Sequence, residues 1–391
     1  MTNFSKLKIS SMLISLTFFL VIVPIFINLD TSEGLRFDIN AFNKDKTSLP
    51  LSVFVILILV FFNIKTLLKN KLYILFFFSS LFMVILCTLI NGFTRIIITF
   101  VQMNFFLISF YIFKNMYKNF DKEILLKIFF KILSLVIILK FVFDILLVIQ
   151  GSYQSTHLVW AIVTPYFINE SIAIYNFYGY FPFVYYLAAV LSLRNIWYKE
   201  MFFTSLIIFF ISSYSVTFTH SRLFSIGFYC IPFLILFFKI TKFNRQLIFN
   251  LCLSSVIFLT AFFTIYPFTV TELSMFTRFE LWMFFFFTIE PIHLLFPFMN
   301  EYRAGLVGSM HNELLEIVSF FGIFSIFFFM HLYKIFTHYD VVKKYKMILK
   351  LVIFIIICGM FIQMNLLNPY LSSMIALFMS LTHQTNKFKY S

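Results

Sequence analysis

The chain has 391 residues, 61% of them hydrophobic and 12% charged, with a mean hydropathy of +0.96. Soluble domains carry roughly 25% charged residues, so this composition excludes an ordinary soluble globular fold. The formal net charge of +14 would suit nucleic acid, but the basic residues lie in short loops between apolar runs, where they serve membrane topology, and no nucleic-acid partner is expected.

Apolar runs of about 20 residues recur along the chain, each long enough to cross roughly 30 Å of hydrocarbon as a helix. Only helices and closed barrels satisfy the backbone in such a medium, and runs that are continuously apolar, without alternation, exclude a barrel. The expected fold is all-α: one integral membrane domain over 1–391, a transmembrane bundle of about twelve spans. In chain order these fall near 9–29, 49–64, 72–91, 96–113, 128–149, 177–193, 201–218, 223–238, 247–266, 314–333, 351–367 and 370–384. The first follows Lys6 and Lys8 as a signal peptide would, but Val23-Pro24-Ile25 stands where an A-x-A-like cleavage site belongs. It reads as a retained anchor. Abundant Phe, Ile, Lys and Asn are the usage of an AT-rich, bacterial genome.

The spans sort the basic residues onto one side. Lys65, Lys69 and Lys71, the group Lys114 to Lys127, Arg194 and Lys199, Lys239 to Arg245, and Lys334 to Lys350 occupy alternate loops, with Lys6, Lys8, Lys387 and Lys389 at the termini. About 21 of the 30 Lys and Arg share that side, which the positive-inside rule makes cytoplasmic, with both termini inside. Within the spans, Cys87, Cys230, Cys252 and Cys358 match no metal-ligand spacing and read as packing residues. Lys140 and Asp144, four apart, can neutralise each other on one helix face. Gln102 and Asn104 read as interhelical glue.

Outside lie three loops of substance. The first, about 30–48, mixes charges with no pattern. The second, 150–176, is rich in Tyr, Trp and Ser and lacks Lys and Arg. The third, 267–313, between spans nine and ten, is the polar island of the sequence. No internal repeat is visible, and the asymmetry of the polar residues favours an enzyme or receptor over a pump built on inverted repeats.

The chemistry-bearing groups come in a fixed order. Arg222 stands at an external turn, where a guanidinium either snorkels to the headgroups or binds phosphate in bidentate fashion. Ser221 and His220 add donors at a helix start, where anions are favoured. Arg278 and Trp282, four apart, share one face of a helix that either lies amphipathically at the interface or walls a site. Glu290-Pro291 ends it. His311-Asn312 opens the next span, and His311 can act as a base near neutral pH.

This order resembles the O-antigen polymerase and O-antigen ligase superfamily: Ser221-Arg222 at a turn, Arg278-x-x-x-Trp282, a following Pro291, then His311-Asn312-Glu313-Leu314-Leu315 before Gly322. The motifs cover roughly 215–325. The usual Gly-x-Gly after the proline is missing; Pro297-Phe298-Met299-Asn300 stands there, and Gly305 and Gly308 come later. The resemblance implies a GT-C-like, metal-independent glycosyltransferase without cofactor, in the bacterial inner membrane. Its site would face the periplasm, and its donor would be a glycan on undecaprenyl diphosphate. In it Arg222 and Arg278, helped by Arg303, would hold the diphosphate leaving group. His311 would orient or deprotonate the acceptor hydroxyl. Ser221, His220, Trp282, Asn312 and Glu280 would complete the substrate contacts, with Glu280, Glu313 and Glu316 as alternative bases. Polymerase is the preferred reading, with a chain-length regulator as a further partner; ligase and lipid-linked oligosaccharide flippase are the alternatives.

Overall fold

A computed structural model describes residues 3–23, 26–28, 36–38, 48–91, 95–149, 180–218, 222–265, 282–283, 312–362, 366 and 368–383. The described chain is helical: α1 (Asn3–Ile22), α2 (Leu51–Leu67), α3 (Lys71–Asn91), α4 (Arg95–Met116), α5 (Lys122–Ile149), α6 (Tyr180–Trp197), α7 (Phe202–Phe218), α8 (Arg222–Tyr229), α9 (Ile231–Ile240), α10 (Arg245–Ile265), α11 (Glu313–Phe321), α12 (Ser325–Tyr333), α13 (Lys346–Ile362) and α14 (Pro369–Thr382). Helix occupies most of every stretch the hydropathy singled out. Three helical stretches are long and apolar enough to cross a membrane, Lys71–Leu89, Arg245–Phe263 and Glu313–His338, the last running on through α12 and a π-helical turn. Six shorter apolar helices accompany them.

The structure departs from the sequence expectation at three places. The stretch 223–238 is two helices, parted at Cys230 where Pro232 opens α9, because proline is favoured in a first turn and breaks a helix interior. The stretch 314–333 is interrupted by a 3-10 turn at Gly322–Phe324, with Gly322 at φ 52°, a conformation that glycine adopts without a Cβ clash. The first expected span, 9–29, is helical only to Ile22, and its last residues form β1 (Phe26–Asn28), the middle strand of an antiparallel sheet with β2 (Arg36–Asp38) from the patternless loop and β3 (Ser48–Pro50) at its end, Phe26 lying opposite Asp38 and Pro50. The described residues are therefore helical with one small sheet.

At the centre stands α14, packed on α1, α2, α4, α5 and α6 and buried from Tyr370 through Thr382. Its 14 residues rise only ~21 Å, short of the hydrocarbon thickness, but its surroundings are protein on all sides. Its serines fit an apolar core because each hydroxyl returns to its own helix: Ser373 to Tyr370 O at 2.8 Å and Ser380 to Leu377 O at 2.7 Å. Tyr370 donates to Ile22 O at 2.6 Å, tying the start of α14 to the end of α1. A bridge between Val341 and His383, with Val342 N–H donating to Thr382 O, closes its other end. The α3–α4 contact carries the interhelical bond the sequence suggested, from Tyr73 Oη to Asn104 Oδ1 at 3.4 Å.

Around this core, α6 pairs with α7, and α10 and α8 both pack on α13. The α8–α13 approach is close: a Cβ on Gly227 would sit 2.5 Å from Ile355 Cδ1, so small size there sets the helix spacing. Large apolar side chains face outward over much of the bundle, among them Phe61, Phe62, Leu89 and Phe203, each about four-fifths exposed.

The basic loops meet at one end, called here the basic end. Arg194 pairs with Glu200 at 2.7 Å, Lys344 with Glu200 at 3.4 Å and Glu123 at 3.2 Å, and Lys127 with Glu200 at 3.8 Å. The Arg194 guanidinium lies between the rings of Tyr345, 4.3 Å away, and Tyr198, 5.0 Å away. Lys239 lies over Trp197, and Asn115 donates to Asn63. The sharing of one side by these alternate loops is thus a direct structural fact.

Candidate functional site

The far end of the bundle receives the described part of the polar island. Asn312 has extended backbone and caps α11: its Oδ1 accepts the Leu315 N–H at 3.0 Å, and its Nδ2 donates to Thr260 Oγ1 on α10 at 3.2 Å. An asparagine at this position satisfies one of the orphan amides of a helix start. Here the same side chain also fastens α11 to α10. Glu313 and Glu316 occupy the first turn of α11 and are both buried, in the place where the helix dipole favours negative charge. The helix packs on α3, α4 and α13.

Trp282 is 1% exposed and meets Phe361, at the end of α13, edge to face with centroids 5.5 Å apart. Phe361 in turn lies 6.0 Å from Phe263 of α10. Two points of the loop, Trp282 and Asn312, are therefore seated on the same pair of helix ends. The indole serves as an anchor in a packed aromatic cluster.

Arg222 is the first residue of α8. Helices α8 and α13 run antiparallel, as Gly227 meets Ile355 and Phe238 of α9, further along, lies beside Lys350. At about 1.5 Å per residue, Arg222 stands ~7.5 Å beyond Gly227 and Phe361 ~9 Å beyond Ile355. The helix start that carries Arg222 thus lies towards the same end of the bundle as the seat of Trp282. Ser225 Oγ of α8 donates to Val216 O near the end of α7 at 2.9 Å.

Of the remaining expected site residues, His220, Ser221, Arg278, Glu280, Arg303 and His311 lie outside the described residues, as do Asp144's side chain and nearly all of the 150–176 and 267–313 loops. Sequence reasoning missed Thr260, Phe263 and Phe361. Their roles arise only from helix packing, and no local pattern marks them. The capping role of Asn312 was readable, since Asn followed by two acids in the first turn is a helix-start signature. Among the described residues no group of three His, Cys, Asp or Glu converges.

Compared with protein-family profiles, curated proteins and solved structures, the chain matches none of them.

Proposed function

We propose that the chain is a polytopic enzyme of the bacterial inner membrane, with twelve spans, a GT-C-like arrangement and both termini cytoplasmic. In this reading it is an O-antigen polymerase, joining undecaprenyl-diphosphate-linked oligosaccharide repeat units at the periplasmic face. The observation that carries the reading is that the start of α8, with Arg222, and the seat of Trp282 on Phe361 lie towards the same end of the bundle. Two motifs about 60 residues apart in the sequence thereby belong to one end of the bundle, the end opposite the basic loops. Arg222 and Arg278, with Arg303, hold the donor diphosphate and stabilise it as it leaves. His311 takes the proton of the acceptor hydroxyl, with Glu280 close in sequence to Arg278. Ser221 and His220 add donors at the α8 start. Asn312 and Trp282 keep the loop on its scaffold. A face opposite the basic loops meets a lipid diphosphate and excludes nucleotide sugars.

The test is the lipopolysaccharide banding of a deletion strain complemented with the wild-type gene or with Arg222→Ala, Arg278→Ala or His311→Ala. A single repeat on core, restored to long chains only by wild type, is the expected result. Bare core with accumulating lipid-linked polymer would assign a ligase. Unchanged chain length in both arginine variants would remove the diphosphate clamp.

A further inference from the structure

At the basic end a second group of cations has no carboxylate within 4.0 Å among the described residues. Arg245, at the start of α10, donates to the carbonyls of Tyr339 at 2.6 Å and Phe336 at 3.3 Å. Lys122, buried at the start of α5, donates to Tyr117 O at 2.8 Å and Ser380 O at 3.4 Å. Lys114, in the last turn of α4, holds its Nζ 3.1 Å from the centroid of the Tyr339 ring. His383, buried just after α14, packs its ring 4.9 Å from Tyr339 and 5.6 Å from Phe110. Tyr339 thus touches Lys114 and His383 with its ring and Arg245 with its carbonyl, while Lys122 reaches the same place through the last turn of α14.

Helix-end carbonyls account for Lys122 and Arg245, since cations are favoured there. They do not account for Lys114, or for a buried imidazole. Among the described residues neither nitrogen of His383 has a hydrogen-bond partner, an arrangement that costs free energy unless something else supplies one. No described carboxylate comes within 4.0 Å of Lys114, Lys122 or Arg245. Glu123 and Glu200 are taken by Lys344, Arg194 and Lys127, and Asp340, whose charge favours Arg245, is exposed. Burial pushes the Lys114 ammonium down to about 8, with Lys334 and Lys122 adding repulsion, and burial alone takes Lys122 to about 8. An anion with several acceptor oxygens would answer all four groups at once.

We propose that Lys114, Lys122, Arg245 and His383 form a binding site for a phosphate group at the basic end, walled by Phe110 and Tyr339 and filled by an anionic phospholipid headgroup or by free phosphate. The site joins the ends of α4, α5, α10 and α14, so its occupant braces the central helix. It stands apart from the proposed catalysis at the far end and does not depend on it.

The test uses the full chain, delipidated in neutral detergent, with Tm followed against phosphatidylglycerol, phosphatidylcholine and inorganic phosphate at constant ionic strength. Stabilisation by phosphatidylglycerol alone assigns a lipid headgroup; stabilisation by inorganic phosphate as well assigns the free ion. In either case Lys114→Gln and His383→Phe weaken apparent binding about fivefold each, while Lys65→Gln, exposed on the same side but outside the cluster, leaves it unchanged. His383→Phe keeps a packed ring and removes both nitrogens; half-buried Lys114 carries the test should that variant misfold. No stabilisation by either ligand, equal stabilisation by phosphatidylcholine, unchanged binding in the Lys114 variant, or an equal loss in Lys65→Gln overturns the proposal.

Discussion

At the far end of the bundle Asn312 meets its needs within three residues and one neighbouring helix, bonding Leu315 N–H and Thr260. At the basic end Lys344 reaches carboxylates 144 and 221 residues away in the chain, Glu200 and Glu123. The first arrangement is local, neutral and closed from solvent; the second is ionic, long-range and partly exposed. The difference separates a scaffold that holds a loop in place from a clasp that gathers the ends of many helices. The two should therefore respond differently to substitution, salt and pH.

The sharpest way to break the comparison is chemical. On the proposed reading, Arg222→Ala or Arg278→Ala lowers polymer formation by about a hundredfold or more with normal protein in the membrane, measured by glycan banding and immunoblot. No basic-end substitution should do so at equal abundance. Next, Asn312→Ala removes a helix cap and leaves Thr260 without that bond; a cost of about 2 kcal/mol should appear as a lower Tm that salt does not alter. Glu200→Gln leaves the Arg194 guanidinium, whose side chain is 2% exposed, without its carboxylate. Because Glu200 itself reaches solvent, the cost should be about 1 kcal/mol, and the difference from wild type should shrink in high salt.

The smallest effects are pH-dependent and share a sign but fall in different pH windows. Burial raises the Glu200 carboxyl, but the Arg194 bond and charge, with Lys127 and Lys344, outweigh it and hold the group below its usual 4.5. Its contribution to stability is complete above that value and is lost as pH falls through the lowered folded value. Lys114 and Lys122 act in the same direction at higher pH, through a buried charge that is relieved and not a paired one that is gained. Each keeps its proton up to about 10.5 in the unfolded chain and loses it near 8 in the folded protein. Their contribution therefore grows as pH rises from about 8 towards 10.5. Tm scans of delipidated, phosphate-free protein should show that rise in wild type and a flatter profile in a Lys114→Met, Lys122→Met double variant.

Much of the architecture was legible because apolar runs must be helical in hydrocarbon. Helix fills most of every expected stretch, and Gly322, which interrupts one of them, was already singled out after the His311 motif, whereas the break at Pro232 was not foreseen. The shared side of the basic loops followed from counting charges. The pairings did not, because Glu200, Glu123 and Lys344 come together only through packing of α5, α6 and α13. Nor did the sheet, whose strands are three residues each, too short for alternation to register. At the candidate site, Asn312 and Trp282 were named from motif order, while Thr260 and Phe361, which seat them, carry no pattern of their own. The centrality of α14 was also hidden, since hydropathy gave it the same weight as neighbours whose apolar side chains face outward.

That last helix has a bearing on biogenesis. In chain order α14 follows every other described helix, yet α1, α2, α4, α5 and α6 close around it. Helices emerging from the ribosome earlier must wait with an unfilled groove until the segment from Pro369 to Thr382 arrives. The bundle therefore reaches its final form only after synthesis of that segment, and the waiting intermediate is the stage at which an insertion chaperone or a quality-control protease would find most to hold.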